Sequence, residues 1–152
     1  MDTAKFVEKL NEAIALELAA LLQYNQYGQV LMGQDRRVWK DFFIDASDEA
    51  LSHVRKWGER VVALGGVPCV EPDVVMQTND LKQMLENSLE VEKRAVVIYE
   101  EALALTDRTA YRNMLEDHIE TETQDVEELL MYLDKVKKVE PRSKSSKAKQ
   151  TG

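Results

Sequence analysis

Apolar residues recur every three to four positions through most of the chain, and interruptions are few. The spacing predicts one unbroken helix over about 3–31. The only turn punctuation before residue 64 is MGQD at 32–35, so a second helix follows over about 36–64, with Asp35 as its candidate N-cap. Gly65-Gly66 then supplies a residue able to take positive φ just past a helix end. In the stretch GGVPCVEPDVVMQT, Pro68 and Pro72 suit neither a helix interior nor a central strand. Asn79 or Asp80 opens a third helix to about 105, Thr106-Asp107 breaks it, and a fourth runs over about 108–138. Two helix pairs with short turns, joined by one long connection, predict an all-α four-helix bundle with a single long crossover. Each short turn makes its pair antiparallel, and the crossover is long enough to run the length of the bundle.

The inward faces carry residues that an ordinary core avoids. The first stripe reads Phe6, Leu10, Ala13, Glu17, Ala20, Tyr24; the third reads Leu81, Leu85, Ser88, Glu92, Ala95, Tyr99, Ala102. Each sets one Glu in the middle of a mostly apolar seam. The second helix brings His53 between Ala50 and Trp57, with Glu49 beside Ala50, and the fourth brings His118, Glu122 and Asp125 between Leu115 and Leu129. An isolated buried carboxylate costs several kcal/mol or takes up a proton, and several facing one another add repulsion. None of the four stripes contains Lys or Arg. A divalent metal removes both difficulties, since carboxylates and imidazole are its ligands. The alternative for any single residue is a hydrogen-bonded or protonated core group. An internal repeat reinforces the reading of the set: Glu17-x-x-Ala20-x-x-x-Tyr24 recurs 75 residues later as Glu92-x-x-Ala95-x-x-x-Tyr99, and His53 and Asp125 lie 72 apart. Tyr24 and Tyr99 either hydrogen-bond the carboxylates or are core tyrosines with other partners.

Charge divides the chain. From Lys135 onward there are seven basic residues against Glu140 alone, a balance of +6; the whole chain carries −8, so residues 1–134 carry −14. An acidic body attracts cations and repels nucleic acid, and the basic tail does the opposite. Residues 139–152 have no apolar face and are expected to be disordered, which leaves 1–138 as one bundle domain. With 152 residues, 44% of them hydrophobic and 32% charged, a single core forms without disulfide help, and Cys69 stands alone. No apolar run is long enough to span a bilayer, and the acid-containing N-terminus is no signal peptide, so a cytoplasmic location is expected.

Glu17 through Gln23-Tyr24, His53 in DEALSHVRKWGERVVALGGVP, Glu92 in EVEKRAVVIYEEAL, and ETETQDVEELL resemble the ferritin-like superfamily over about residues 5–133. Bacterioferritins and Dps-like bacterial ferritins resemble it most. The resemblance implies a di-iron centre that oxidises Fe(II) with O2 or H2O2, for iron storage or detoxification, usually within a hollow homo-oligomeric shell. In that class one Glu comes from each of two helices and a Glu-x-x-His from each of the other two. Glu17 and Glu92 match the single glutamates. The second-helix motif falls on Ala50-x-x-His53, so its bridging glutamate is missing; the fourth-helix motif falls on Glu122-x-x-Asp125, so its histidine has become Asp. Glu49 projects about 40° from His53 on the side opposite Ala50 and is one candidate replacement. His118, one turn before Glu122, either supplies the absent imidazole or is a hydrogen-bonded core histidine. The haem methionine of bacterioferritins falls near Leu51, so no haem is expected. The resemblance thus implies Glu17, His53, Glu92, Glu122 and Asp125 as metal ligands, with Glu49 a candidate sixth that either reaches in or forms a surface or interface pair. The alternative is an oligomeric scaffold whose centre has decayed. The tail stands where 24-subunit shells have a fifth helix, which favours a dodecamer or a dimer, and Dps-like relatives suggest weak DNA association through it.

Overall fold

The computed structural model describes residues 1–143; Lys144, Lys147 and Lys149 of the basic tail lie outside the described residues. Four helices form: α1 (Thr3–Val30), α2 (Arg36–Ala63), α3 (Leu81–Ala104) and α4 (Thr109–Tyr132). The described residues contain no strand. The bundle is all-α, with one long crossover between α2 and α3.

Helix ends explain most of the boundaries. Asp2 caps α1 by accepting from the Lys5 amide at 3.2 Å, and Asp80 caps α3 by accepting from the Gln83 amide at 2.9 Å. Asp35 makes no such bond and sits in helical geometry itself. At that turn the work falls to Arg36, whose guanidinium donates to the carbonyls of Leu31 at 2.7 Å and Gln29 at 2.9 Å, neutralising the end of α1. Arg112 repeats the device at the second turn, donating to Leu103 and Thr106 carbonyls at 3.1 Å each. Gly65 has φ +87°, and the amides of Gly65 and Gly66 return to Val62 and Val61 at 2.9 Å, closing α2 as the glycine pair predicts. Asp134 at φ +53° closes α4 the same way, with the Lys135 amide on the Leu130 carbonyl at 2.8 Å. The fourth helix therefore ends at Tyr132, not at 138. Its stop lacks a glycine, and Asp tolerates the left-handed conformation better than most residues.

α1 packs on α2 and α3, and α3 on α4. The crossover runs alongside α1 in the same direction: the Cys69 amide donates to Asn11, the Asp73 amide to the Ala15 carbonyl, and the Met76 amide to Gln23. It thereby carries the chain from one end of the bundle to the other, and α3 starts beside the far end of α1. Flanked on three sides, α1 buries Ile14, Leu16, Ala19, Gln23 and Tyr27 besides its predicted stripe. α2 and α4 behave differently. No Cα of one lies within 8 Å of a Cα of the other. Long side chains bridge them, with the Trp39 and Tyr132 rings 5.0 Å apart and the Trp57 and His118 rings 5.7 Å apart. Small Ala50 and the wide separation leave a cavity there.

Candidate metal centre

The seam positions place every sequence-predicted ligand except Glu49 around one point inside the bundle. Glu17 is delivered by α1, His53 by α2, Glu92 by α3, and Glu122 and Asp125 by α4. Two groups of donors result, each able to place one ligand atom within 4.8 Å of every other: Glu17, His53, His118 and Glu122 form the first, and Glu92, Glu122 and Asp125 the second. Glu122 belongs to both. Its Oε1 lies 3.0 Å from His118 Nε2 and 3.6 Å from His53 Nδ1. Glu17 Oε1 lies 3.2 Å from His53 Nδ1. The groups border a cavity of about 220 Å³, with Ala50 and Ser88 in its lining and the exposed Asp45, Glu49 and Glu128 also on its wall.

The internal repeat acquires a structural meaning. α1 and α3 are antiparallel, so the Tyr of each repeat reaches the Glu of the other: Tyr99 donates to Glu17 at 2.8 Å, and Tyr24 donates to Glu92. Both tyrosines are buried. Each carboxylate is therefore oriented by the helix opposite.

Electrostatics set the four carboxyls apart. Burial pushes Glu122 up to about 8, with the charges of Glu17 and Asp125 adding to it. Burial also drives Glu92 well above the ordinary range, reinforced by the facing Glu122 and Glu17. Asp125 rises to about 7 through burial and the charges of Glu92, Glu49 and Glu128. Burial acts on Glu17 in the same sense, but hydrogen bonds from His118 and His53 outweigh it and hold this carboxyl at about 2. One carboxyl is thus held in its charged form while burial and mutual repulsion shift its three neighbours toward the protonated form. Among the described residues, no lysine or arginine lines the cavity. Glu122 Oε2 is buried with no hydrogen-bond partner, and an orphaned carboxylate oxygen among other oxygens and an imidazole is the donor chemistry a divalent metal satisfies.

Glu49 joins neither group. Its carboxylate is 45% exposed and lies 3.8 Å from His53 Nε2, on the far side of the ring from Glu17. From there it lines the same cavity as Ala50 and lies close enough to orient His53. His118 enters the first group, fully enclosed, with Trp57 Nε1 donating to its Nδ1 at 3.1 Å. The sequence marks His118 as facing inward; the Trp57 bond, formed between helices, has no signal in either local pattern.

A bundle of this topology with a shared-carboxylate cluster at mid-height belongs to a known class. A ferritin-like domain model matches residues 7–139, and the chain belongs to the ferritin family. Among solved structures it is similar to the ferritin-like, diiron-carboxylate protein of Bacillus anthracis strain Ames, at 32% identity and a TM-score of 0.84, over 88% of this chain and 98% of that one. Two curated relatives are both called nutrient stress-induced DNA-binding protein. The one from Synechococcus is 34% identical over 70 residues, and the one from Nostoc is 30% identical over 104. Those alignments span 46% and 62% of this chain, and only 40% and 56% of the relatives themselves.

Proposed function

We propose that the protein binds Fe(II) at this centre and passes its electrons to O2 or H2O2, serving iron storage or detoxification. The observation that carries the reading is Glu122, buried, shared by two donor groups, and left with an unpartnered oxygen. Glu17, His53 and Glu122 would hold one metal, and Glu92, Glu122 and Asp125 the other. The metal supplies the redox chemistry: each Fe(II) gives up one electron, and a peroxide takes a pair to yield two hydroxide ions. The chain supplies geometry and proton management. Tyr24 and Tyr99 fix two carboxylates, and metal competes with the protons that burial favours on Glu92, Glu122 and Asp125. Because Ala50 removes one bridge and Asp125 makes the second position richer in oxygen, the two affinities should differ widely.

Anaerobic Fe(II) titration should saturate at one or two per chain, matching the two donor groups. Glu122→Ala should weaken both steps and Glu17→Ala only one. Saturation indifferent to both substitutions would reject the assignment.

A homo-oligomer, dodecamer or dimer, accompanies this reading on the strength of the family. DNA association through the basic tail is a second, compatible reading, supported by the relatives' printed names and by the +6 carried beyond residue 134.

A further inference from the structure

We propose that His118 is a positioning residue and not a metal ligand: the indole N–H of Trp57 fixes its proton on Nε2, aimed at the shared carboxylate of Glu122. The proposal rests on Glu122 binding metal as set out above. The argument begins with what each atom can do. An indole nitrogen only donates, so the His118 Nδ1 that receives it at 3.1 Å must present its lone pair. The ring's single proton then sits on Nε2, which faces Glu122 Oε1 at 3.0 Å and Glu17 Oε1 at 3.6 Å, both acceptors. A protonated Nε2 has no lone pair to offer a metal. Ligation would require the proton to move to Nδ1, where two N–H groups would point at each other in a site with 3% exposure at His118 and none at Trp57.

Packing keeps the ring from turning away. Tyr99 and His53 lie against it, with ring centroids at 3.9 and 4.2 Å. His53 faces the same two carboxylates but, among the described residues, receives no indole donor. It is partly exposed, its Nδ1 faces both Glu17 and Glu122, and its Nε2 has the Glu49 carboxylate on the outer side. A carboxylate behind one ring nitrogen is the arrangement that leaves the other free to ligate. The two histidines therefore differ in freedom: the His53 proton can pass to Nε2 beside Glu49 and free Nδ1 to ligate, whereas the Trp57 indole holds the His118 proton on Nε2. His118 binds Oε1 of Glu122, and Oε2 has no hydrogen-bond partner among the described residues.

The chain has only 2 histidines, which makes the test direct. Long-range proton–nitrogen spectra of the full-length, 15N-labelled, metal-free protein should show His118 protonated at Nε2 and bare at Nδ1, with His53→Gln assigning the signals. Zn(II), a diamagnetic probe, should move the His53 nitrogens and leave the His118 pattern in place. Trp57→Phe should release His118 into a mixture of tautomers. His118→Gln, which keeps a side-chain N–H donor, should hold Zn(II) affinity within about threefold, whereas His118→Leu should lower it roughly 10–100-fold. A His118 Nε2 signal that takes up the metal-bound shift, with the proton transferred to Nδ1, would overturn the proposal. So would an unaltered tautomer in Trp57→Phe, or equal loss in the Gln and Leu variants. If Zn(II) binds nowhere in the bundle while the His118 signature persists, the metal-centre reading fails and the tautomer assignment stands.

Discussion

Ala50 is 3% exposed and lines the cavity, at the position where the sequence resemblance leads us to expect a bridging glutamate. The space beside it can hold a longer side chain. Ala50→Glu should strengthen the weaker metal step and speed Fe(II) oxidation, both measurable by stopped-flow. In metal-free protein the same change adds a buried carboxyl and should cost a few kcal/mol in chemical denaturation, which metal should restore through its preference for the native state. The carboxyls already present make stability depend on pH. Glu122 and Asp125, raised to about 8 and 7, bind protons more tightly in the folded chain than in the unfolded one. Their contribution is complete below pH 4 or so and is lost as pH rises through 7 to 8. Glu17, lowered to about 2, contributes in the opposite sense, and its share is lost only in strong acid. Chelator-treated protein should therefore melt at a lower temperature at pH 8 than at pH 5.5. Zn(II) should raise the melting temperature more at pH 8, where the ligands are free of protons. Equal melting temperatures at the two values would contradict the protonation assigned to this cluster.

Among the helices, the two arginines that close the hairpin turns are the elements' least obvious supports. Arg36 opens α2, Arg112 lies in the first turn of α4, and each reaches back to the carbonyl end of the previous helix. Charged hydrogen bonds of this kind contribute about 1.5–3 kcal/mol each when enclosed, and less where solvent reaches them. Arg36 donates to three carbonyls, Gly28, Gln29 and Leu31, and is partly buried. Arg36→Gln should accordingly lower stability by roughly 1–2 kcal/mol in urea, without changing metal stoichiometry. A loss of metal binding in that variant would mean the α1–α2 turn also sets the distance between Glu17 and His53. The close pass at Gly28, where an added Cβ would lie 2.7 Å from Ile44, belongs to the same turn and holds α2 tight on α1. α2 and α4 have no such closure, and this seam is where the cavity lies.

Across the molecule, charge is divided along the chain. The bundle up to residue 134 carries −14, suited to drawing in a divalent cation, and the basic excess begins at Lys135. Among the described residues, no helix is long and apolar enough to cross a membrane. Residues 139–143 are exposed, Val139 at 92%, and contribute nothing to the core. Deleting 139–152 should leave the melting temperature nearly unchanged. If the chain binds DNA, that binding should disappear with the deletion and should weaken steeply with salt, since lysine–phosphate contacts act through counterion release. Micromolar DNA binding by the truncated protein at physiological salt would place the interaction on the acidic body instead.

Helix number, the crossover and the inward placement of Glu17, His53, Glu92, Glu122 and Asp125 were all legible in the sequence. They depend on spacing within one helix, and a 3.6-residue period projects them onto one face wherever that helix packs. What depended on two elements at once was not legible. Whether Glu49 or His118 approached the centre turned on the distance between α2 and α4, which no single stripe encodes. Nor does a stripe foretell that Trp57 would meet His118 Nδ1, that Tyr24 and Tyr99 would exchange partners between helices, or that Arg36 would close the end of α1 at the turn where Asp35 makes no cap bond. The end of α4 was overrun because Asp134 closes it without the glycine that marks such ends. The sequence by itself determined which side chains turn inward; the tertiary structure decided which of their atoms face one another, because hydrogen bonds and metal ligation depend on distances of a few tenths of an ångström between separately folded helices.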